Sequence, residues 1–285
     1  MPMRADQRGF SLVEMVIVIV ITGILGGTVA MFITLPVQGY IDTVRRAELT
    51  DIADTAVRRV GRDIQGALPN SVRVTTVGGN DYLEFIPIKA AGRYRADADA
   101  AGAGDLLDFS SGLDSSFDVL GPPVAVAVGD SIVIYNQGSP DYDAYNAPGA
   151  TSSRRAAAAP FGTVSKVAFN PAGARFSLSS PGSRFQVVGT PVTYVCDLAT
   201  GTLWRYSGYA IQIAQPATIA ILDALAGVTK AALATRVSAC SLVYDTVALQ
   251  NSGLVAITLA ISQAVAGSSA ETVTLQHQVS LANTP

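Results

Sequence analysis

The sequence is poor in the groups on which most enzymes and nucleic-acid binders depend. It has one histidine, His277, and two cysteines, Cys196 and Cys240, in 285 residues. Charged residues make up 14% of the chain, against about 25% in an average soluble domain. Net charge is −3, so there is no electrostatic case for nucleic acid as a partner. No C-x-x-C, H-E-x-x-H or phosphate-loop pattern occurs. A lone histidine in a late strand is read as a packed or surface residue, and no catalytic residue is assigned. The chain also lacks an A-x-A-like site after its one long apolar run, which argues against a cleaved secretory signal peptide.

That run organises the rest. From Phe10 to Val37 the chain reads FSLVEMVIVIVITGILGGTVAMFITLPV, with Glu14 its only charge. A helix needs roughly 20 residues to cross the hydrocarbon core of a bilayer. Phe10 to Leu35 would extend about 39 Å as a helix. Arg4 and Arg8 precede it, which places the N-terminus on the cytoplasmic side and the remainder in the periplasm. A plain signal anchor leaves Glu14 unexplained, because a carboxylate inside a bilayer is costly and marks function.

The segment Arg8-Gly9-Phe10-Ser11-Leu12-Val13-Glu14, followed by an unbroken apolar stretch, closely resembles the processing motif of type IV pilins and type II secretion pseudopilins. The resemblance implies a cleaved leader, residues 1–9, cut by a prepilin peptidase after Gly9. Phe10 would become the N-terminus and be methylated by the same enzyme. Glu14 would pair with an N-terminal amine in the filament core. It also implies other major and minor pilins and an inner-membrane assembly platform as partners. Physics fits this: a buried carboxylate is tolerable only when paired, and cutting at Gly9 creates the amine. The glycines Gly23, Gly26 and Gly27 are expected to soften this helix, which has no proline before Pro36.

Residues 10–35 are therefore expected to form a transmembrane and filament-core helix, and residues 36–68 its amphipathic continuation. In the second part Val37, Ile41, Val44, Leu49, Ile52, Ala56, Val60, Ile64 and Leu68 recur at helical spacing, and this stripe should lie on the globular domain. Asp54 and Arg58 form an i,i+4 pair with the acid first, as do Asp42 and Arg46. Pro69-Asn70 should end the helix.

Residues 69–285 are expected to form one β-rich periplasmic domain. Ser71–Val77 and Tyr82–Ile88 flank Gly78-Gly79-Asn80-Asp81, a hairpin signal. Ala90 to Gly104 and Gln137 to Pro160 read as loops. Strands are expected at Leu106–Phe109, Phe117–Leu120, Ser131–Asn136, Thr163–Phe169, Phe185–Val188, Val192–Asp197 and Thr202–Tyr206. Three more follow at Ser241–Asp245, Leu254–Ser262 and Thr272–Leu281, and Ala217 to Val237 has room for a short helix. In an exported domain Cys196 and Cys240 most simply form one disulfide. Gly129-Asp130-Ser131-Ile132 is similar to the nucleophile block of some lipases, but Thr274 stands where their D-x-x-H has its acid, so it is read as a turn entering a strand. Asp97, Asp99, Asp105, Asp108, Asp114 and Asp118 lack the spacing of a calcium loop and are read as a solvated stretch with no metal. No cofactor is expected.

The stretches GRYRADADAAGAGDLLDFSSGLDSSFDVLG, VTYVCDLATGTLWRYSGYAI and ETVTLQHQVSLANTP are similar to a large minor pilin of the mannose-sensitive haemagglutinin (MSHA) pilus system. The fold class expected is α+β: a long pilin helix followed by an antiparallel domain with two sheet lobes. The function implied is that of a minor pilin near the filament tip, contributing to biogenesis and adhesion. A type II secretion pseudopilin and a membrane-anchored periplasmic enzyme are the alternatives.

Overall fold

The computed structural model describes residues 9–249, 252–264 and 269–284. The chain divides between Leu49 and Thr50 into two units. One helix, α1 (Leu12–Gln65), contributes residues to both.

The first unit is helix alone. Its residues from Leu12 to Ile33 expose large apolar side chains on every side. The threonine hydroxyls of this stretch are bonded back to the helix's own carbonyls. Thr22 Oγ donates to Val18 O at 2.6 Å, and Thr28 Oγ to Leu25 O at 2.9 Å. Such back-bonding leaves no hydroxyl seeking water, as a hydrocarbon environment demands. The helix continues through Gly23, Gly26, Gly27 and Pro36. The stripe at Val37, Ile41 and Val44 is 48–49% exposed. Along the helix, burial begins at Leu49.

The second unit opens with the last turns of α1. Ala53, Ala56, Val57, Val60 and Ile64 are buried. A fully buried valine or isoleucine contributes about 1.5–3 kcal/mol, so this stripe is the main attachment of the helix to the strands. Asp63 reinforces it: its Oδ2 accepts from the Tyr194 hydroxyl at 2.7 Å and from Arg205 Nε at 2.9 Å. Its other oxygen pairs with Arg59 at 3.0 Å. On another side, Gly61 gives His277 room, since a Cβ there would stand 3.0 Å from the imidazole Nε2.

The helix stops at Gln65, three positions before Leu68. Gly66 and Ala67 close it by donating to Asp63 O and Ile64 O, and Leu68 N–H then donates to Ile86 O at 2.7 Å. Sheet pairing takes over before Pro69 is reached.

Sixteen strands follow among the described residues. The first four are β1 (Arg73–Val77), β2 (Asn80–Phe85), β3 (Ile88–Tyr94) and β4 (Ser116–Leu120). Then come β5 (Val124–Val126), β6 (Ser131–Val133), β7 (Arg154–Ala158), β8 (Gly162–Val164) and β9 (Lys166–Phe169). β10 (Arg184–Val188), β11 (Val192–Asp197) and β12 (Thr202–Ser207) precede a short helix, α2 (Ile219–Asp223). β13 (Thr229–Ala234), β14 (Val237–Leu249), β15 (Ser252–Gln263) and β16 (Glu271–Ala282) complete the chain.

The strands form an antiparallel five-stranded sheet, β1-β2-β11-β12-β13, a closed six-stranded barrel, β10-β3-β4-β9-β7-β6, and a three-stranded sheet, β14-β15-β16. β5 and β8 make a separate ribbon. The α+β class is the one expected, with the β part divided more finely than two lobes. β1 and β2 are joined by Gly78-Gly79 alone, with φ of +61° and +82°. Both glycines supply the left-handed backbone that a tight hairpin needs.

Three loop and strand expectations are corrected. β3 runs through Ala90–Tyr94, inside the stretch read as loop, because β10 and β4 pair with its two edges. β7 likewise lies inside the stretch 137–160. Leu106–Phe109 is not a strand; Leu107 is instead a core residue of the barrel. The barrel interior is aromatic, with Phe117 5.0 Å from Phe185 and 6.1 Å from Phe169. Gly92 makes space for Phe185, whose ring would meet a Cβ there at 2.8 Å.

Cys196 of β11 and Cys240 of β14 are joined by a disulfide, Cα atoms 5.7 Å apart. It ties the five-stranded sheet to the three-stranded one.

A buried polar network crosses the five-stranded sheet. Glu84 of β2 is fully buried and pairs with Arg73 of β1 at 2.9 Å. The Tyr209 hydroxyl donates to Glu84 at 3.3 Å, and Tyr209 also shares a hydrogen bond with Thr193. Arg73 lies 3.6 Å over the ring of Tyr145 and donates to Gln212 O and Ile213 O. Burial dominates over the arginine and pushes the Glu84 carboxyl up to about 7.

Candidate functional site

The candidate site is the start of α1. Gly9, Phe10 and Ser11 are non-helical and exposed, and Phe10 is 82% exposed. A Cβ on Gly9 would meet nothing within 4 Å. The Gly9–Phe10 peptide bond thus stands in open, non-helical chain immediately before the helix. A peptidase needs that geometry, since helical backbone bonds are shielded by their own hydrogen bonding.

Ser11 is the helix cap. Its Oγ accepts from Glu14 N–H at 3.3 Å, and its carbonyl accepts from Met15 N–H at 3.1 Å. Ser11 and Glu14 have the S-x-x-E spacing of a capping box, in which the acid stands three residues into the helix. The sequence reading passed over this second role, although the spacing was visible. Glu14 also lies in the first turn, at the positive end of the helix dipole, where a carboxylate is favoured.

The surrounding chemistry is sparse. From Leu12 to Ile33 the site is bordered only by apolar side chains, small residues and threonines bonded to their own helix. α1 is the one helix among the described residues that is long and apolar enough to cross a membrane. In such surroundings Glu14 has no local cation among the described residues of its own first turns. A carboxylate in such apolar surroundings is costly unless a cation pairs with it.

The other residues weighed in the sequence serve local structure. Asp130 of the Gly129-Asp130-Ser131-Ile132 block accepts from Lys89 Nζ at 2.6 Å and from Ala127 N–H at 2.8 Å. Ser131 stands in barrel strand β6, and His277 in β16 of a different sheet. Asp99 accepts from the amides of Ala101 and Ala103, Asp105 pairs with Lys166 at 2.8 Å, and Asp118 pairs with Arg95 at 3.2 Å. Asp108 accepts from Ser110, which holds its carboxyl below the usual range, and Asp114 accepts from Asp108 N–H. Asp97 is exposed. Arg4 and Arg8 lie outside the described residues.

Residues 4–30 match the family model of the prokaryotic N-terminal methylation motif. No curated protein and no solved structure matches the chain. The motif supports a pilin or pseudopilin role, with processing by a prepilin peptidase, assembly with other pilins and anchoring in the inner membrane.

Proposed function

We propose that the chain is the precursor of a minor pilin in a type IV pilus of the MSHA kind, similar to the O component of that system. Residues 1–9 are its leader, Gly9–Phe10 its cleavage site and Phe10 its methylated N-terminus. Residues 10–35 hold it in the inner membrane with the C-terminal domain in the periplasm, and later in the filament core. Residues 36–68 carry the helix on to the β-rich domain of residues 69–285. It acts by assembly, through Glu14, and not as an enzyme.

One observation carries the reading: an exposed Gly9–Phe10 bond opens onto a capped helix whose apolar stretch, Leu12 to Val37, carries Glu14 as its one charge. The size of the second unit supports a scarce position near the tip, because a barrel and two sheets on each subunit crowd a helical shaft. Labelling the C-terminal domain in intact pili tests this. The label is expected at fibre ends; even decoration of the shaft refutes the tip position. A type II secretion pseudopilin shares the same leader, and loss of pili rather than of protein secretion on deletion separates the two.

A further inference from the structure

The seam between the barrel and the five-stranded sheet holds an open cleft of about 370 Å³. The pilin reading makes no use of it. Such a volume lies at the small end of ligand pockets, which run from about 300 to 1,000 Å³. It suits one small ring, not a chain.

Two fixed cations face this cleft. Lys89 of β3 is 47% exposed, and its ammonium is held 2.6 Å from Asp130, itself 4% exposed. Gly189 makes this possible: a Cβ there would stand 3.0 Å from Lys89 Cδ, so the lysine stem lies across the glycine. Both Asp130 oxygens are engaged by the protein, Oδ1 by Lys89 and Oδ2 by Ala127 N–H. The ammonium has three donors, and this pairing uses one. Arg205 of β12 is oriented by Asp63 through Nε and by Ser207 Oγ through Nη1 at 3.1 Å. Neither contact engages Nη2.

Each cation already has one acid beside it, so the site is close to neutral before a ligand arrives. That balance favours a single negative charge over a phosphate dianion. Thr190 and Ser207 add hydroxyls, and Pro87, Val128 and Val192 add apolar wall. Fixed donors, hydroxyls and small apolar surfaces together match a ring that carries one carboxylate and several hydroxyl groups.

We propose that this cleft binds a hexuronate-type acidic sugar, its carboxylate at Lys89 and Arg205 and its hydroxyls at Thr190 and Ser207. The mouth is open, so the sugar could be free or the last unit of a polysaccharide. The proposal is independent of how the N-terminus is processed.

Full-length protein in detergent micelles is titrated with glucuronate, glucose, a uronate oligomer and an acidic dipeptide, with binding read by calorimetry. Glucuronate is expected to bind at least tenfold more tightly than glucose or the dipeptide. Lys89→Gln should weaken it at least tenfold. Val128→Trp, at a position 79% exposed, should fill the cleft and abolish binding without entering the core, so the test survives if Lys89→Gln does not fold. Tighter binding of the oligomer than of the monomer assigns the source to a polysaccharide, and equal binding assigns it to free sugar. Glucose binding as tightly as glucuronate, the dipeptide binding better, no binding of glucuronate, or unchanged affinity in both variants overturns the proposal.

Discussion

Glu84 offers a measurable consequence of burying an acid beside an arginine. Its carboxyl is raised from an ordinary value of 4.5 to about 7, chiefly by burial, against the opposing pull of Arg73 and Tyr209. The folded protein therefore holds this proton more tightly than the unfolded chain does. The stabilisation is complete below pH 4.5 and is lost as pH rises through 7. At roughly 1.36 kcal/mol per pH unit, the interval corresponds to about 3 kcal/mol. Asp143 is raised by burial too and adds to the acid end of the same slope. Asp108 and Asp197 are lowered and are ionised in both states above pH 5, so they contribute no slope there. The assay is urea unfolding of the full chain in micelles, disulfide intact, followed by fluorescence of Trp204, the only tryptophan. Trp204 lies on β12, in the same sheet as Glu84. Stability should fall by about 3 kcal/mol between pH 5 and 8, and Glu84→Gln should remove most of that slope. A wild type whose stability is level over this range, or a Gln variant with the same slope, refutes the reasoning.

Other consequences are simpler. Asp63→Ala strips Tyr194 and Arg205 of their shared acceptor and should destabilise the protein by about 2 kcal/mol in the same assay. Replacing Cys196 and Cys240 together by serine opens a loop of 44 positions and should cost about 4 kcal/mol, read as a lowered urea midpoint. Glu14→Leu should leave membrane insertion and leader removal intact while reducing recovery in sheared pili more than tenfold. Equal recovery would show that the carboxylate has no part in assembly.

The elements legible in the sequence were those decided by neighbours along the chain. Gly78-Gly79 announced its hairpin because few residues tolerate positive φ, and the apolar run announced a helix by length alone. Ser11 as a cap was legible in the same way, through its spacing to Glu14. What stayed hidden depends on distant partners. Ala90–Tyr94 is small and polar by composition, and becomes a strand only because β10 and β4 arrive on either side. Barrel closure rests on pairings such as β10 with β6 and β7 with β9, which no local pattern encodes. Leu107 reads as a strand residue from its neighbours, yet enters the barrel core from a loop. The helix end moved for a related reason, since Leu68 N–H found Ile86 O before Pro69 could act. The cleft at Lys89 was equally hidden, being assembled from β3, β12 and the turns before β6 and β11.

The central claim is that proteolysis at Gly9–Phe10 produces the amine that Glu14 is there to meet. Mass spectrometry of the N-terminal peptide from protein purified out of its native membrane tests it directly. The account expects the peptide to begin at Phe10 and to carry one added methyl group. A peptide still beginning at Met1 would contradict it.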